Sequence, residues 1–161
     1  MTKLNLPEYS FRILKTEKGF QVFDSLRKKF VALTPEEWVR QHFIQYLVQE
    51  KNCPASLISV ETGMKYNRLN KRSDLAVHDR KGMVWMIVEC KSPKVKITDE
   101  TFRQAAVYNM AGKTKTLYLA VTNGLEHYCC RMNYDKGKLL FLKDFPLYPD
   151  AVPTLSGFRA K

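Results

Sequence analysis

Two charged residues end an otherwise apolar strand, and their position marks them as the first candidates for chemistry. The segment from Met83 to Lys91 is apolar on both faces up to Glu89 and Lys91, which share a face because strand side chains alternate. Such an apolar run is typical of a strand inside a covered sheet. A carboxylate and an ammonium there cost desolvation free energy unless they pair or bind a metal. We therefore interpret them as part of a functional site, with a plain intrastrand ion pair as the alternative.

A third charged residue, Asp74, joins this pair if the preceding strand forms a hairpin with the apolar one. The segment from Ser73 to His78 is predicted to be that strand. An even-numbered loop pairs His78 with Met83, which puts Asp74 on the same face as Glu89. A one-residue bulge would reverse this parity, so the prediction depends on the register. Asp74 as an ordinary turn residue is the alternative.

Neighbouring carboxylates repel each other, and a hard divalent cation relieves that repulsion. Oxygen ligands with retained waters suit Mg²⁺ or Mn²⁺, and the pattern leaves one or two metals open. Such a metal lowers the pKa of a bound water and stabilises charge on a phosphate. Lys91 beside it would orient the water or stabilise the phosphorane. The three residues Asp74, Glu89 and Lys91 therefore predict phosphodiester hydrolysis.

Composition favours a globular protein with a polyanionic partner. The chain has 161 residues, is 45% hydrophobic, and carries a formal net charge of +11, which points to a polyanion or an acidic surface as partner, with a basic surface kept for solubility as the alternative. It contains no apolar run of membrane-spanning length and no signal-peptide core, so we expect a cytoplasmic protein without membrane contact. The expected DNA contacts cluster before and after the central strand, at Lys65, Arg68, Lys71, Arg72, Lys94 and Lys96.

The remaining pattern predicts a mixed α/β domain. An N-terminal β-hairpin lies within residues 11–23, and Thr34 caps a first helix that extends to about Glu50. A second helix follows Thr98 and lies between two strands, which implies a parallel pair with a right-handed crossover. The segment from Thr62 to Arg72 is a loop or an extended edge strand. We expect one domain over residues 1–161, with its core at about 23–142 and an extended tail at 143–161.

Five sequence blocks point to a known family. They are Thr-Pro-Glu-Glu-Trp-Val-Arg-Gln at 34–41, Ser-Asp-Leu at 73–75, Val-Glu-Cys-Lys-Ser-Pro at 88–93, Gln-Ala-Ala-Val-Tyr-Asn at 104–109 and Val-Thr-Asn-Gly at 121–124. In this order they resemble the N-terminal nuclease domain of type I restriction enzyme R subunits. Asp74 followed by Glu89-Cys90-Lys91 also resembles the PD-(D/E)XK nuclease signature, with Ser73 in place of its proline.

The resemblance implies a restriction-endonuclease-like mixed sheet flanked by helices and a Mg²⁺- or Mn²⁺-dependent deoxyribonuclease. It implies catalytic roles for Asp74, Glu89, Lys91, Gln104 and Glu37, and metal binding by Asp74, Glu89 and Glu37. Glu36 competes with Glu37 as the helix acid, and Glu37 is equally suited to capping the helix.

The resemblance also adds Tyr108, one turn after Gln104, to the DNA contacts, and it suggests a homodimer or a larger restriction or repair assembly. The ATP-driven translocase of full R subunits has no counterpart in these 161 residues, so translocation is not expected of them. A non-catalytic nucleic-acid-binding module of the same fold is the alternative function.

Overall fold

The protein is a mixed α/β structure with two sheets. The computed structural model describes the backbone of residues 1–66, 71–111 and 115–149, and the side chains of 1–60, 74–106 and 115–149. The elements of this part are β1 (Ile13–Thr16), β2 (Gly19–Asp24), β3 (Lys29–Ala32), α1 (Pro35–Gln49), β4 (Ile58–Tyr66), β5 (Lys71–His78), β6 (Val84–Cys90), α2 (Asp99–Ala111), β7 (Tyr118–Thr122), β8 (His127–Asn133) and β9 (Lys138–Leu142). A 3₁₀ turn at Ala55–Leu57 precedes β4. Within the described ranges, neither helix has the length and hydrophobicity needed to cross a bilayer.

The large sheet has six strands in the order β4-β5-β6-β7-β8-β9. Among the described strands, β6 and β7 alone pair in parallel, and α2 lies between them in the chain, which confirms the predicted parallel pair. Of the segment 62–72, residues 62–66 continue the edge strand β4 and residues 71–72 begin β5, while 67–70 lie outside the described residues. Since β6 lies inside the sheet with helices over both faces, its apolar sequence is accounted for by burial.

The small N-terminal sheet contains one strand more than the predicted hairpin. Strands β1 and β2 form that hairpin, and β3 pairs with β2 immediately before α1. Phe23 on β2 and Phe30 on β3 lie opposite each other with ring centroids 5.3 Å apart, and Arg12 lies over the Phe23 ring. Such cross-strand aromatic pairs stabilise small sheets. The third strand carries the chain directly to the start of α1.

The hairpin between β5 and β6 differs in register from the prediction, but Asp74 and Glu89 still belong to the same face of the sheet by this register. The loop holds five residues, because His78 pairs with Val84, and a bulge then shifts the register by one more residue. Each change moves the pairing by one residue relative to the prediction, so together they move it by two and leave the predicted faces of the strand ends unchanged. Beyond the pair Leu75 and Val88, the next opposite positions are Asp74 and Glu89. These two residues therefore face each other directly and not diagonally.

Two apolar clusters cover the faces of the sheet. Val39, Phe43 and Leu47 of α1 pack on one face with Leu75 and Val88. On the other face, Phe102 and Ala106 of α2 pack with Ala76, Ile87 and Leu119. The bulge also breaks simple alternation along β6, because the successive residues Trp85 and Met86 both join the α1 face, while Val84 and Ile87 lie on the α2 face. The strand before the site is thus buried on both sides.

The segment after β9 forms no helix or strand up to Pro149, as predicted, but it does not simply lie on the surface. Tyr148 is 2% exposed, its ring lies 5.3 Å from that of Trp85, and its hydroxyl donates to the His78 carbonyl at 3.1 Å. Its amide donates to the Lys51 carbonyl at 2.9 Å. This segment therefore fastens the end of α1 to the β5–β6 hairpin.

Tyr148→Ala is expected to lower the free energy of unfolding by about 3–5 kcal/mol, because it removes a buried ring and leaves a cavity. Tyr148→Phe should cost only about 0.5–1.5 kcal/mol, the net value of one hydrogen bond. Urea denaturation measures both. The neighbouring Leu147 is 58% exposed, so Leu147→Ala is the control, with a change within about 0.5 kcal/mol. Equal effects at 147 and 148 would contradict the anchoring role.

Candidate functional site

Helix α1 begins where the sequence predicts, and its first turn points acidic side chains toward the site. Thr34 is the N-cap, and its hydroxyl accepts from the Glu37 amide at 3.0 Å. The other half of the expected capping box does not form. The Glu37 carboxylate instead accepts from Arg27 at 2.7 Å, from Gln41 at 2.8 Å, and from Arg40. Glu37 is therefore fixed by buried ion pairs.

Arg40 connects this helix to β5. Its side chain is only 7% exposed, and its Nη2 lies 3.1 Å from Oδ1 of Asp74 and 3.4 Å from Oε1 of Glu36. Burial alone would lower the pKa of Arg40, but the charges of Glu37 and Asp74 raise it. A permanently charged guanidinium thus lies between three carboxylates.

Asp74 is held at both carboxylate oxygens. Oδ1 accepts from Arg40, and Oδ2 accepts from the Cys90 amide at 2.6 Å. Burial and the negative charge of Glu89 nevertheless raise the pKa of Asp74 to about 6. The proximity of Asp74 and Glu89 therefore carries an electrostatic cost that the two hydrogen bonds only partly offset.

Glu89 and Lys91 form the pair that their spacing predicts. Nζ of Lys91 lies 2.5 Å from Oε1 of Glu89, and both side chains are partly buried, at 28% and 19% exposed. Burial would lower the pKa of Lys91, but the hydrogen bond and charge of Glu89, followed by the charges of Asp74 and Glu36, raise it. Lys91 is therefore a cation next to both strand carboxylates.

The choice between Glu36 and Glu37 as the helix acid now has a geometric basis. Glu37 is buried and bonded to three side chains, whereas the Glu36 side chain is 43% exposed. The charge of Glu36 acts on Asp74 and on Lys91, as their pKa values show. Glu36 is thus the better placed acid for a ligand bound at Asp74, and Glu37 supports Arg40.

The donor set suits a hard divalent cation with few protein ligands. Among the side chains that the structure describes, no three His, Cys, Asp or Glu residues converge as a ready metal cluster. Mg²⁺ is commonly bound by only one or two carboxylates together with waters and substrate phosphates. The mutual repulsion that raises the pKa of Asp74 is the strain that such a cation relieves. Asp74 and Glu89 therefore fit this role, while Glu37 is engaged elsewhere.

The other predicted site residues are distributed differently. Gln104 is exposed on α2, and no hydrogen bond joins it to Asp74 or Glu89 among the described side chains. Lys94 and Lys96 are exposed on the loop after β6. The remaining predicted contacts, Lys65, Arg68, Lys71, Arg72 and Tyr108, lie outside the residues whose side chains are described.

The turn after β7 holds the loop that carries Lys94 and Lys96. Asn123 is buried, donates to the Val95 carbonyl at 2.9 Å, and accepts from the amides of Leu125 and Glu126. Gly124 has φ +83°, and a Cβ there would lie 2.7 Å from Leu4. The Asn-Gly pair is therefore required for this turn, and through Val95 it positions the basic loop next to Lys91.

Sequence reasoning missed the buried polar network under the site. Asp24 is fully buried and accepts from the Arg27 side chain at 2.6 Å and from Gln41 at 2.8 Å. The available signal was the spacing of Glu37, Arg40 and Gln41, which share one face of α1 at intervals of three and four. The other buried residues of α1 are mostly apolar, so this polar face indicates the side of the helix that lies toward the site.

Comparison with known proteins agrees with the sequence resemblance. Residues 35–146 match the family model described as Type I restriction enzyme R protein N terminus. No curated protein matches the chain significantly. The matched range begins at Pro35, so the N-terminal sheet lies outside it while Asp74, Glu89 and Lys91 lie within it.

Asp24→Asn should destabilise the protein by about 3 kcal/mol at neutral pH, because it breaks a buried ion pair with Arg27. Burial would raise the pKa of Asp24, but hydrogen bonds from Arg27 and Gln41 lower it below its ordinary value of 3.8. A lowered folded-state pKa contributes stability above the unfolded pKa and loses it as the pH falls through the folded value. The difference between wild type and variant should therefore shrink below about pH 4.

Urea denaturation across this pH range measures that difference. The exposed Glu17 provides the control on magnitude, since Glu17→Gln should change stability by no more than about 0.5 kcal/mol. A difference for Asp24→Asn that grows on acidification would contradict the lowered pKa.

Proposed function

Because the chain belongs to the family of type I restriction enzyme R protein N-termini, we propose that it is a metal-dependent DNA endonuclease domain of PD-(D/E)XK type. Its reaction is the hydrolysis of a phosphodiester bond with Mg²⁺ or Mn²⁺. The observation that carries the proposal is the meeting of Asp74, Glu89 and Lys91 at one end of the β5–β6 pair.

Each residue has a defined task in this proposal. A bound divalent cation would supply Lewis-acid activation of the phosphate and of an attacking water. Asp74 and Glu89 hold the cation, with Glu36 of α1 contributing from the exposed side. Lys91 donates toward the phosphate and balances negative charge as it develops. Arg40 and Glu37 support this arrangement from within α1.

DNA approaches through positive charge around this edge of the sheet. Lys94 and Lys96 are exposed on the loop that follows Lys91, and the whole chain carries a formal net charge of +11. Cations near a phosphate-binding site position the backbone without reading base sequence. Cutting both strands of a duplex would require a second active site, which a homodimer or a larger restriction assembly supplies.

A non-catalytic DNA-binding module is the second candidate, and one observation favours it. The site carboxylates already have protein cations, with Arg40 on Asp74 and Lys91 on Glu89. A fold that balances these charges internally is stable without metal and can bind DNA without cutting it. The two candidates predict the same binding and different chemistry.

Asp74→Asn and Lys91→Met are each expected to reduce DNA cleavage at least about 100-fold, because each removes a group that acts on the transition state. Cleavage of supercoiled, linear and single-stranded DNA with Mg²⁺, Mn²⁺ or chelator measures this loss. The exposed residues Asp144 and Lys138 provide matched controls, as Asp144→Asn and Lys138→Met should retain activity. Absence of metal-dependent cleavage by the wild type, with DNA binding intact, would reject the nuclease in favour of the module.

Lys94→Ala combined with Lys96→Ala should weaken DNA binding similarly for all sequences. Loss of two phosphate contacts is expected to reduce the slope of log K against log salt by about 2. Fluorescence anisotropy at several salt concentrations measures the slope. Lys136→Ala with Lys138→Ala removes the same charge from the turn between β8 and β9. An equal change in slope for both pairs would show that binding follows net charge and not this loop.

A further inference from the structure

Arg40 is buried where α1 meets the end of the β5–β6 pair. Its guanidinium donates to Glu37, lies 3.4 Å from Glu36 on the same helix, and lies 3.1 Å from Asp74 on β5. The planar fork of a guanidinium can serve several carboxylates in fixed directions, which the single ammonium of lysine cannot reproduce. The residue therefore fixes the carboxylate of Asp74 relative to α1.

Asp74 has a second anchor on the neighbouring strand. The Cys90 amide donates to Oδ2 at 2.6 Å, while Arg40 donates to Oδ1. A carboxylate oxygen has two lone-pair sites, so both oxygens keep capacity for another partner. The two anchors thus restrict the orientation of Asp74 without saturating it.

We propose that Arg40 is a positioning residue, which together with the Cys90 amide clamps Asp74 beside Glu89. Without the clamp, the repulsion between the two carboxylates would drive Asp74 into other rotamers. Arg40 acts through Asp74, to which it donates at 3.1 Å. Its effect on cleavage rests on the proposed function, but the clamp itself is a property of the fold.

Arg27 is the matched comparison. It is also a partly buried arginine bound to Glu37, at 2.7 Å, but its second carboxylate partner is Asp24 and not Asp74. Both arginines stabilise α1. Only Arg40 should control Asp74, so the two variants separate a positioning role from general stabilisation.

The first measurement uses the ¹⁵N-labelled full chain without metal or DNA. Arg40→Met should shift the Cys90 amide resonance and speed its hydrogen exchange. Without Arg40, the Asp74 carboxylate can rotate, and its Oδ2 can move away from that amide. Arg27→Met should shift the Cys90 resonance much less despite its loss of stability, because Arg27 reaches Asp74 only through Glu37 and Arg40. Arg40→Lys keeps the charge and should give a smaller shift, and it carries the test if the methionine variant does not fold. An unchanged Cys90 resonance in the lysine variant, or equal shifts in the Arg27 and Arg40 variants, would overturn the clamp.

The second measurement is the Mn²⁺ concentration that half-saturates the DNA-free protein. Water-proton relaxation detects the bound Mn²⁺. Loss of a residue that orients a metal ligand commonly costs about 10–100-fold in affinity, so Arg40→Met should raise this concentration at least about 10-fold. Arg27→Met should change it little. A wild type that neither binds Mn²⁺ nor cuts DNA would reject the proposed function, and the Cys90 resonance would still decide the clamp. If both Arg40 variants bind Mn²⁺ and cleave DNA as the wild type does, the positioning role of Arg40 is rejected while the proposed function stands.

Discussion

The free-energy cost of holding carboxylates together in a partly buried place governs the layout of this protein. Asp74 and Glu89 lie near each other at the end of two buried strands, and burial together with the charge of Glu89 raises the pKa of Asp74. Such groups persist in a fold only where cations and hydrogen bonds compensate them. Arg40 and Lys91 provide that compensation from opposite sides, one from the helix and one from the strand.

Helix α1 is organised by the same requirement. Its apolar residues pack on the sheet, while Glu37, Arg40 and Gln41 form a buried polar face at its N-terminal half. This face continues through Arg27 to Asp24 at the end of β2. The N-terminal sheet, which lies outside the family match, is therefore part of the support for the site. A chain of alternating charges connects β2, α1 and β5, and each charge in it depends on its neighbours.

The mixed α/β arrangement and the pairing of Glu89 with Lys91 were predictable because they follow from local pattern. The apolar run ending in Glu89 and Lys91 predicted the buried strand and the presence of partly buried charges at its end. Thr34 and Pro35 predicted the start of α1. The register of Asp74 was not predictable, because two odd shifts in the β5–β6 hairpin depend on loop packing. Arg40 and Asp24 were missed because the partners that tie them to other elements, Asp74 and Gln41, are distant in sequence, and charged residues are usually exposed. The preference for Glu36 over Glu37 likewise depends on which side chains occupy each carboxylate in three dimensions.

The charge balance of the network bears on why a metal suits this place. Its described side chains include five carboxylates, Asp24, Glu36, Glu37, Asp74 and Glu89, and three cations, Arg27, Arg40 and Lys91. Among these described side chains alone, five negative and three positive charges leave two negative charges, inside a protein whose formal net charge is +11. One divalent cation would neutralise that remainder, whereas the surrounding surface attracts a polyanion. In the proposed function, the carboxylates of this acidic place would draw a metal inward, and lysines such as Lys94 and Lys96 would draw DNA to the same edge of the sheet.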